Sequence, residues 1–592
     1  MSKSNNKRFL VTTPDETTWD LKQPLLFLGE WCRLFSRRDI SSELDIAIHP
    51  YHWDDRHKYE RDYRDLGKLY EQKLADLSIH LGNMHGVSTE IRYWRIIIGP
   101  WLRFFIDAVF DRYELIRTVS ETNAISGTRI HTYNLNDWIP TDFQEFYDQF
   151  KDDPWNHIIF SECIINSGIT FEKLSSQITP RKKAEVVQNP FRKLVKGFLE
   201  SYLNFLPSRF NKVVIVAANI PLAKLINFQK TLGQLPYVSS PNVRVNDRIR
   251  DDGKRASLIF NQPETPFEQL LNKFIATLIP YAYIENFSTF QKKSLSRFPK
   301  RPKLILTANA YQGNDGFKIW AAHHVEKNIP LILEQHGGHY GIGLLNQTED
   351  HQLKTADKFA SWGWTTKENS NIVSMPAFKI NLDKIKYNKS GNILITTATY
   401  PRYFYCHFSV NVAGQMLDYV EEQIKFVKLL RLDLLKSLRI RTDIGQYGWD
   451  VPDRMHVAGI GEVIESSVGI TLINRLVGCR ICVSTINATI FLETLAANFP
   501  TLVFFDPGKY EIRSEARPMM DQLRKVGILH DTPESAARFL NEIGDDIEQW
   551  WLNDEVQEVR EKFCNNFAFS SADWEADWET FLKLCLRSSE YG

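Results

Sequence analysis

Long apolar runs are missing from this chain. The most apolar window, Ile96 to Phe110, is broken by Arg103 and Asp107, whereas a membrane span needs about 20 mostly apolar residues. That window predicts a buried helix, and at most peripheral contact with a membrane. The N-terminal stretch MSKSNNKRFLVTTPDETTWD is basic but turns acidic too soon for a secretory apolar region, so a cytoplasmic protein is expected. Cysteine is sparse: Cys32, Cys163, Cys406, Cys479, Cys482, Cys564 and Cys585 are an odd number spread over 592 residues, which argues for reduced thiols and against a disulfide framework. Cys479 and Cys482 form a CxxC with no second pair nearby, ahead of a strand-like VST, and read as packing beside a buried strand rather than as a zinc site. Nor is there an excess of one charge. Lys+Arg 72 against Asp+Glu 72 removes the broad attraction that nucleic acid or an anionic membrane would exploit, and no nucleic-acid partner is expected. Gly 29 and Pro 25 are too few for a collagenous or low-complexity chain.

Several active-site signatures are absent too. There is no GxxxxGK[ST] phosphate loop, no GxGxxG after a strand, no HExxH and no GxSxG elbow, so kinase, dehydrogenase, zinc-protease and α/β-hydrolase readings lose their main support. No Asp-x-Asp triplet offers a metal to a diphosphate. Nothing calls for a metal or a cofactor.

What remains is a folded α/β chain. Hydrophobic residues at 43% and charged residues at 24% are an ordinary globular mix, and the length implies roughly two to four domains. Apolar runs bounded by turn residues alternate with amphipathic stretches, the pattern of parallel α/β units. Candidate strands are Arg8 to Thr13, Leu25 to Gly29, His157 to Phe160, Lys212 to Ala218, Lys303 to Thr307, Pro330 to Glu334, Asn392 to Thr397, Arg439 to Thr442, Ile481 to Thr485 and Thr501 to Phe505. Tyr59 to Leu81 and Arg92 to Ile116 carry helical spacing and read as a helical insertion. The polar stretch VSMPAFKINLDKIKYNKSGN marks a boundary, with a hinge between about 365 and 391. Residues 1–375 are expected to form one domain with the insertion, and 390–592 a second with a helical tail, containing Trp550, Trp551, Trp574 and Trp578, that returns to the first.

Two polar constellations stand out at strand ends, where ligands bind in open α/β sheets. In LILEQHGGHYGIG the strand ends at Glu334, and Gln335, His336, Gly337 and Gly338 form the turn. The glycines let backbone approach a ligand, freed N–H groups hold an oxyanion, and His336 supplies a hydrogen bond or a charge; a tight turn with a satisfied histidine is the plain alternative. In VSTINATIFLETLAANFPTLVFFDP, Ser484, Thr485, Asn487 and Thr489 sit at a helix N-terminus suited to phosphate, with Glu493 one turn later. Capping by Asn487 or Thr485 explains the same residues equally well.

The turn, the helix with an early Glu and the strand FPTLVFFD resemble the donor-binding half of GT-B glycosyltransferases, including the Ser/Thr motif of sialyl- and Kdo-transferases that use CMP-linked sugars. LGEWCRLF at 28–35, HPYHWDDR at 49–56, HGVSTEIRYWRIIIGPWL at 85–102, EQHGGHYG at 334–341, ASWGW at 360–364 and STINATIFLETL at 484–495 look like a family of transferases encoded in bacterial surface-polysaccharide and O-antigen clusters. The resemblance implies two Rossmann-like domains facing a cleft, a nucleotide sugar held by the C-terminal one, and a glycan or lipid-linked glycan acceptor on the N-terminal one. It places Thr485, Asn487, Thr489 and Glu493 at the donor, with Arg402 and Arg441 near its phosphates. A surface ion pair is the alternative for either arginine. Metal-independent transfer then needs a base or nucleophile, for which Glu30 stands ahead of Glu16 and Asp15, with His336 on phosphate or the reacting oxygen. A CDP-alcohol phosphotransferase, a sugar-nucleotide epimerase and a non-catalytic envelope scaffold are the rival readings.

Overall fold

A computed structural model describes residues 7–122, 124–181, 211–238, 240–379, 385, 387–443, 445 and 447–588. Among these described residues there are three sheets, each with all its strands parallel. The first joins β1 (Arg8–Val11), β2 (Leu25–Phe27), β3 (Ile46–Ile48), β4 (Ile125–Thr132) and β5 (Phe171–Gln177) in the order β3-β2-β1-β4-β5. The second joins β6 (Val213–Val216), β7 (Leu304–Thr307), β8 (Leu331–Glu334), β9 (Lys358–Ser361) and β10 (Ile372–Ser374) in simple succession. The third joins β11 (Asn392–Thr396), β12 (Leu438–Arg441), β13 (Ile464–Glu465), β14 (Cys479–Ser484), β15 (Thr501–Phe504) and β16 (Leu529–His530) in the order β13-β12-β11-β14-β15-β16. The first and third orders reverse between their first and fourth strands, the doubly wound arrangement that opens a crevice at that point.

The expected α/β class, parallel sheets and helical tail are all present, and the N-terminal half holds two sheets rather than one. The second and third sheets lie on either side of the polar stretch read as a boundary, which includes residues 380–384 and 386 outside the described set. One expected strand is a helix: His157 to Phe160 lies inside Asp153–Ile165, which starts with Pro154 in its first turn and is buried from Trp155 through Ile164. A helix buried on all sides loses its 3.6-residue signature, and the short apolar run then reads as a strand.

The helical insertion is a pair of long helices. Arg56–His85 is capped by Asp55, whose side chain accepts from the His57 and Lys58 N–H groups, and ends at Gly86 with φ +64°. Ile91–Thr122 contains the apolar window and Pro100. This second helix ties the units together: buried Arg112 donates to Asn156 Oδ1, Asp111 Oδ2 and the Phe404 carbonyl, and buried Asp107 contacts Arg103 and His407. At the other end of the chain, Trp574–Ser588 covers the second sheet. Trp578 is fully buried, stacks on Phe378 with centroids 4.2 Å apart, and donates from Nε1 to the Pro376 carbonyl. Truncating such a ring costs about 3–5 kcal/mol. Cys479 and Cys482 are buried, unbridged residues of β14.

Candidate functional site

The crevice of the third sheet opens between β11 and β14, where Thr396 pairs with Ser484. Most hydroxyls there build the turn. Thr485 Oγ1 donates to the Thr396 carbonyl at 3.0 Å and lies 2.6 Å from the Tyr419 hydroxyl, and Ser484 Oγ donates to the Ile486 carbonyl. Asn487 differs. Only 2% of it is exposed, yet neither of its amide atoms has a hydrogen-bond partner among the described residues. The buried hydroxyls of Thr397 and Thr399, on the opposite lip after β11, are likewise unpartnered. The helix Thr489–Ala496 follows, and its cap residue is Ala488, so no side chain caps it. The expectation that Asn487 or Thr485 would cap it therefore fails, because Thr485 is spent on β11 and Asn487 donates to and accepts from nothing. The result is an uncapped positive helix end beside a desolvated amide, an arrangement that favours an anion.

Facing this turn is the loop after β8. Buried Gln335 shapes it, donating from Nε2 to the Gly337 carbonyl while its Oε1 accepts from the Trp362 N–H and Trp364 Nε1. The Gly338 N–H donates to Thr489 Oγ1 at 2.8 Å. A Cβ at Gly338 would sit 2.3 Å from the Ala488 carbonyl carbon, and one at Gly337 would sit 2.9 Å from Thr489 Oγ1. Both glycines are required by close approach. His336 is half-buried, and its Nδ1 lies 3.0 Å from the Tyr340 hydroxyl, which donates to Gln352 Oε1 at 2.7 Å. With the tyrosine hydrogen so committed, Nδ1 carries the imidazole proton and Nε2 is left as an acceptor. Burial, aided by the charge of Lys379, pushes the His336 pKa down to about 4, so the ring is neutral at physiological pH.

Two carboxylates complete the cleft. Glu493 lies 3.6 Å from Lys379, and burial raises its pKa while the lysine opposes this. Glu334, 1% exposed, accepts through Oε1 from Trp362 Nε1 and the Phe378 N–H; its Oε2 is unpartnered, and burial pushes its pKa up to about 8. Lys379, Tyr340, Glu334, Thr397 and Thr399 are cleft residues that sequence reasoning does not single out. Lys379 lies in a stretch whose polar composition reads as a boundary, and Tyr340 follows the glycine turn without a pattern of its own.

The remaining candidates are engaged elsewhere. The Arg402 guanidinium donates to both oxygens of Asp153 at 2.9 Å and to the Trp31 and Tyr447 carbonyls, so its charge locks the third unit to the first sheet instead of facing a phosphate. Arg441 donates from Nη2 to the Ser467 and Ile470 carbonyls, while its buried Nη1 has no partner among the described residues. Glu30 pairs with Arg33 at 2.7 Å, and Glu16 with Arg37 at 2.7 Å. Asp15 accepts from Thr17 and contacts His131 Nε2 at 2.8 Å. All three carboxylates sit in loops of the first sheet, and none shares a hydrogen bond with the cleft of His336 and Asn487 among the described residues.

A crevice at strand C-termini, an uncapped helix end and a neutral histidine loop define an α/β protein with a polar cleft between its second and third sheets. The chain belongs to the LIC12162 family transferases, whose family model matches residues 8–582. No curated protein matches it. Among solved structures it is similar to S. aureus MnaA with UDP (12% identity, 63% of this chain and 96% of that one, TM-score 0.36). It is also similar to the wall teichoic acid polymerase TagF (8%, 49% and 75%, 0.28) and to a UDP-forming trehalose-phosphate synthase from Burkholderia vietnamiensis (10%, 64% and 97%, 0.31). Among the described residues, no helix is long and apolar enough to cross a membrane.

Proposed function

We propose that this transferase moves a sugar from a nucleotide donor to a surface glycan or its precursor, without a metal. The observation that carries the reading is Asn487: a buried amide with no partner, at the mouth of an uncapped helix, is held in that state at a cost that a bound phosphate and its sugar would offset. In this mechanism the helix N–H groups and Asn487 hold the donor phosphate. An acceptor hydroxyl oxygen attacks the anomeric carbon, its proton passes to His336 Nε2, and the bond to the phosphate oxygen breaks as the nucleotide leaves with the charge that the helix end stabilises. Glu493 and Lys379 border the donor sugar. The donor we favour is a CMP-linked acidic sugar such as Kdo or a nonulosonic acid, with Lys379 and Arg441 as the cations for its carboxylate and phosphate, since Arg402 is committed to Asp153.

Calorimetric titration with CMP and UDP tests this. Binding of CMP, lost in Asn487→Ala, is expected. Tighter binding of UDP would remove the CMP assignment and keep glycosyl transfer; absence of binding by any of CMP, UDP, GDP and dTDP would remove both.

A further inference from the structure

The first sheet has its own crevice, between β1 and β4, and it holds an array of a different kind. Asp15 follows β1, His131 lies on β4 and Ser176 lies on β5. Ser176 Oγ is 2.8 Å from His131 Nδ1, and His131 Nε2 is 2.8 Å from Asp15 Oδ2. Asp15 also accepts from the Thr17 N–H and hydroxyl through Oδ1, which fixes its carboxylate at the head of the turn Glu16–Thr18. A carboxylate only accepts, so Nε2 carries the ring proton and Nδ1 accepts from the serine hydroxyl. The ring is held from behind: the His131 backbone N–H donates to His157 Nε2 at 3.1 Å, and the two rings meet edge to face with centroids 5.0 Å apart.

The local strand geometry brings the serine into place. Ile130 pairs with Lys173 but Thr132 pairs with Gln177, so β5 bulges opposite His131. Bulges of this kind re-aim side chains. Every residue of β5 except Leu174 is exposed, so Ser176 is open to a large substrate.

We propose that Asp15, His131 and Ser176 form a nucleophilic triad that cleaves carboxylic esters carried on a large molecule. Ser176 Oγ attacks the acyl carbonyl carbon and its proton passes to His131 Nδ1. The ester C–O bond breaks, the alcohol leaves with that proton, and the acyl group stays on the serine. Water then attacks the acyl-serine by the same route, releasing the carboxylic acid and restoring the hydroxyl. This activity is independent of the nucleotide cleft.

Full-length protein treated with a fluorophosphonate probe at pH 8 and mapped by mass spectrometry tests the proposal, alongside 4-nitrophenyl acetate turnover. The expected result is one adduct, on Ser176, with ester turnover abolished in Ser176→Ala and reduced about 100-fold or more in His131→Gln. Asp15→Asn, a partly buried change that keeps the cap, should slow Ser176 labelling by about 10-fold or more and covers the case in which His131→Gln fails to fold. No adduct, an adduct elsewhere, or labelling of Ser176 at an unchanged rate in Asp15→Asn would overturn it.

Discussion

The Gly338 N–H donates to Thr489 Oγ1 at 2.8 Å, closing the second sheet onto the third across 151 positions of sequence. This one contact explains both the glycine and the threonine. The loop must come close enough for a backbone donor to reach a side chain at the helix start, and Thr489, in accepting it, leaves the helix N–H groups free.

Replacing Gly338 by Ala forces a Cβ to within 2.3–2.5 Å of Ala488 and Thr489 backbone atoms, so the loops must separate. The variant is expected to melt earlier than wild type and to lose the nucleotide-induced rise in melting temperature. Thr489→Ala, which leaves the Gly338 donor unpaired, should cost about 1–3 kcal/mol and weaken binding less. Wild-type nucleotide affinity in Gly338→Ala would show that the two loops need not touch.

Asn487→Leu is expected to raise the melting temperature of the unliganded protein while abolishing the shift caused by nucleotide. Two buried amide atoms without partners are replaced by an apolar side chain of similar volume, which removes a desolvation cost of about 1–3 kcal/mol. A variant both less stable and unable to bind would mean that Asn487 supports the turn rather than a ligand. Thermal scans with and without nucleotide separate the outcomes.

Glu334 gives a pH signature. Its folded pKa is about 8 against an ordinary 4.5, with burial as the cause. The folded state therefore holds a proton that the unfolded chain releases between those values, and stability from this group is full below pH 4.5 and lost as pH rises through about 8. Glu334→Gln keeps the acceptor for Trp362 and Phe378 and cannot ionise. It should match wild type near pH 5 and become progressively more stable than wild type toward pH 8, as read by denaturant midpoints at each pH; a constant difference would contradict the assignment.

Arg402→Ala should act on stability rather than on the donor. It breaks a bidentate pair with Asp153 that is mostly shielded, a loss of about 2–3 kcal/mol, between the values for exposed and fully buried pairs. Combined with Asp153→Ala, the two losses should be less than additive. A selective loss of nucleotide affinity at unchanged stability would restore Arg402 to the donor site.

Local pattern carried much of this architecture. The strands β1, β2, β6, β7, β8, β11, β12, β14 and β15 are apolar runs with turn residues at their ends, and the long helices Arg56–His85 and Ile91–Thr122 carry sustained helical spacing. Strands β3, β4, β5, β9, β10, β13 and β16 are not among the runs read from the sequence, because they are short, exposed or, in the ISGTRIHT of β4, interrupted by glycine and polar residues. β5 shows almost no buried face, and β13 and β16 are two residues each. The histidine loop and the Ser/Thr turn were legible for a similar reason, since clustered Gly, His, Thr and Asn at a strand end are uncommon without a turn or a ligand to serve.

The sequence by itself determined the α/β class, the positions of the turns, and the residue types available at them, because propensity and periodicity act over a few residues. Only the tertiary structure decided that the N-terminal half divides into two sheets, since strand order comes from pairing between distant segments. It also decided which polar groups are spent and which are left over. Arg402 and Asn487 look equally available in the sequence. Arg402 is neutralised by Asp153, 249 positions away, while Asn487 is buried with no partner among the described residues, and that difference arises from packing that no local pattern encodes.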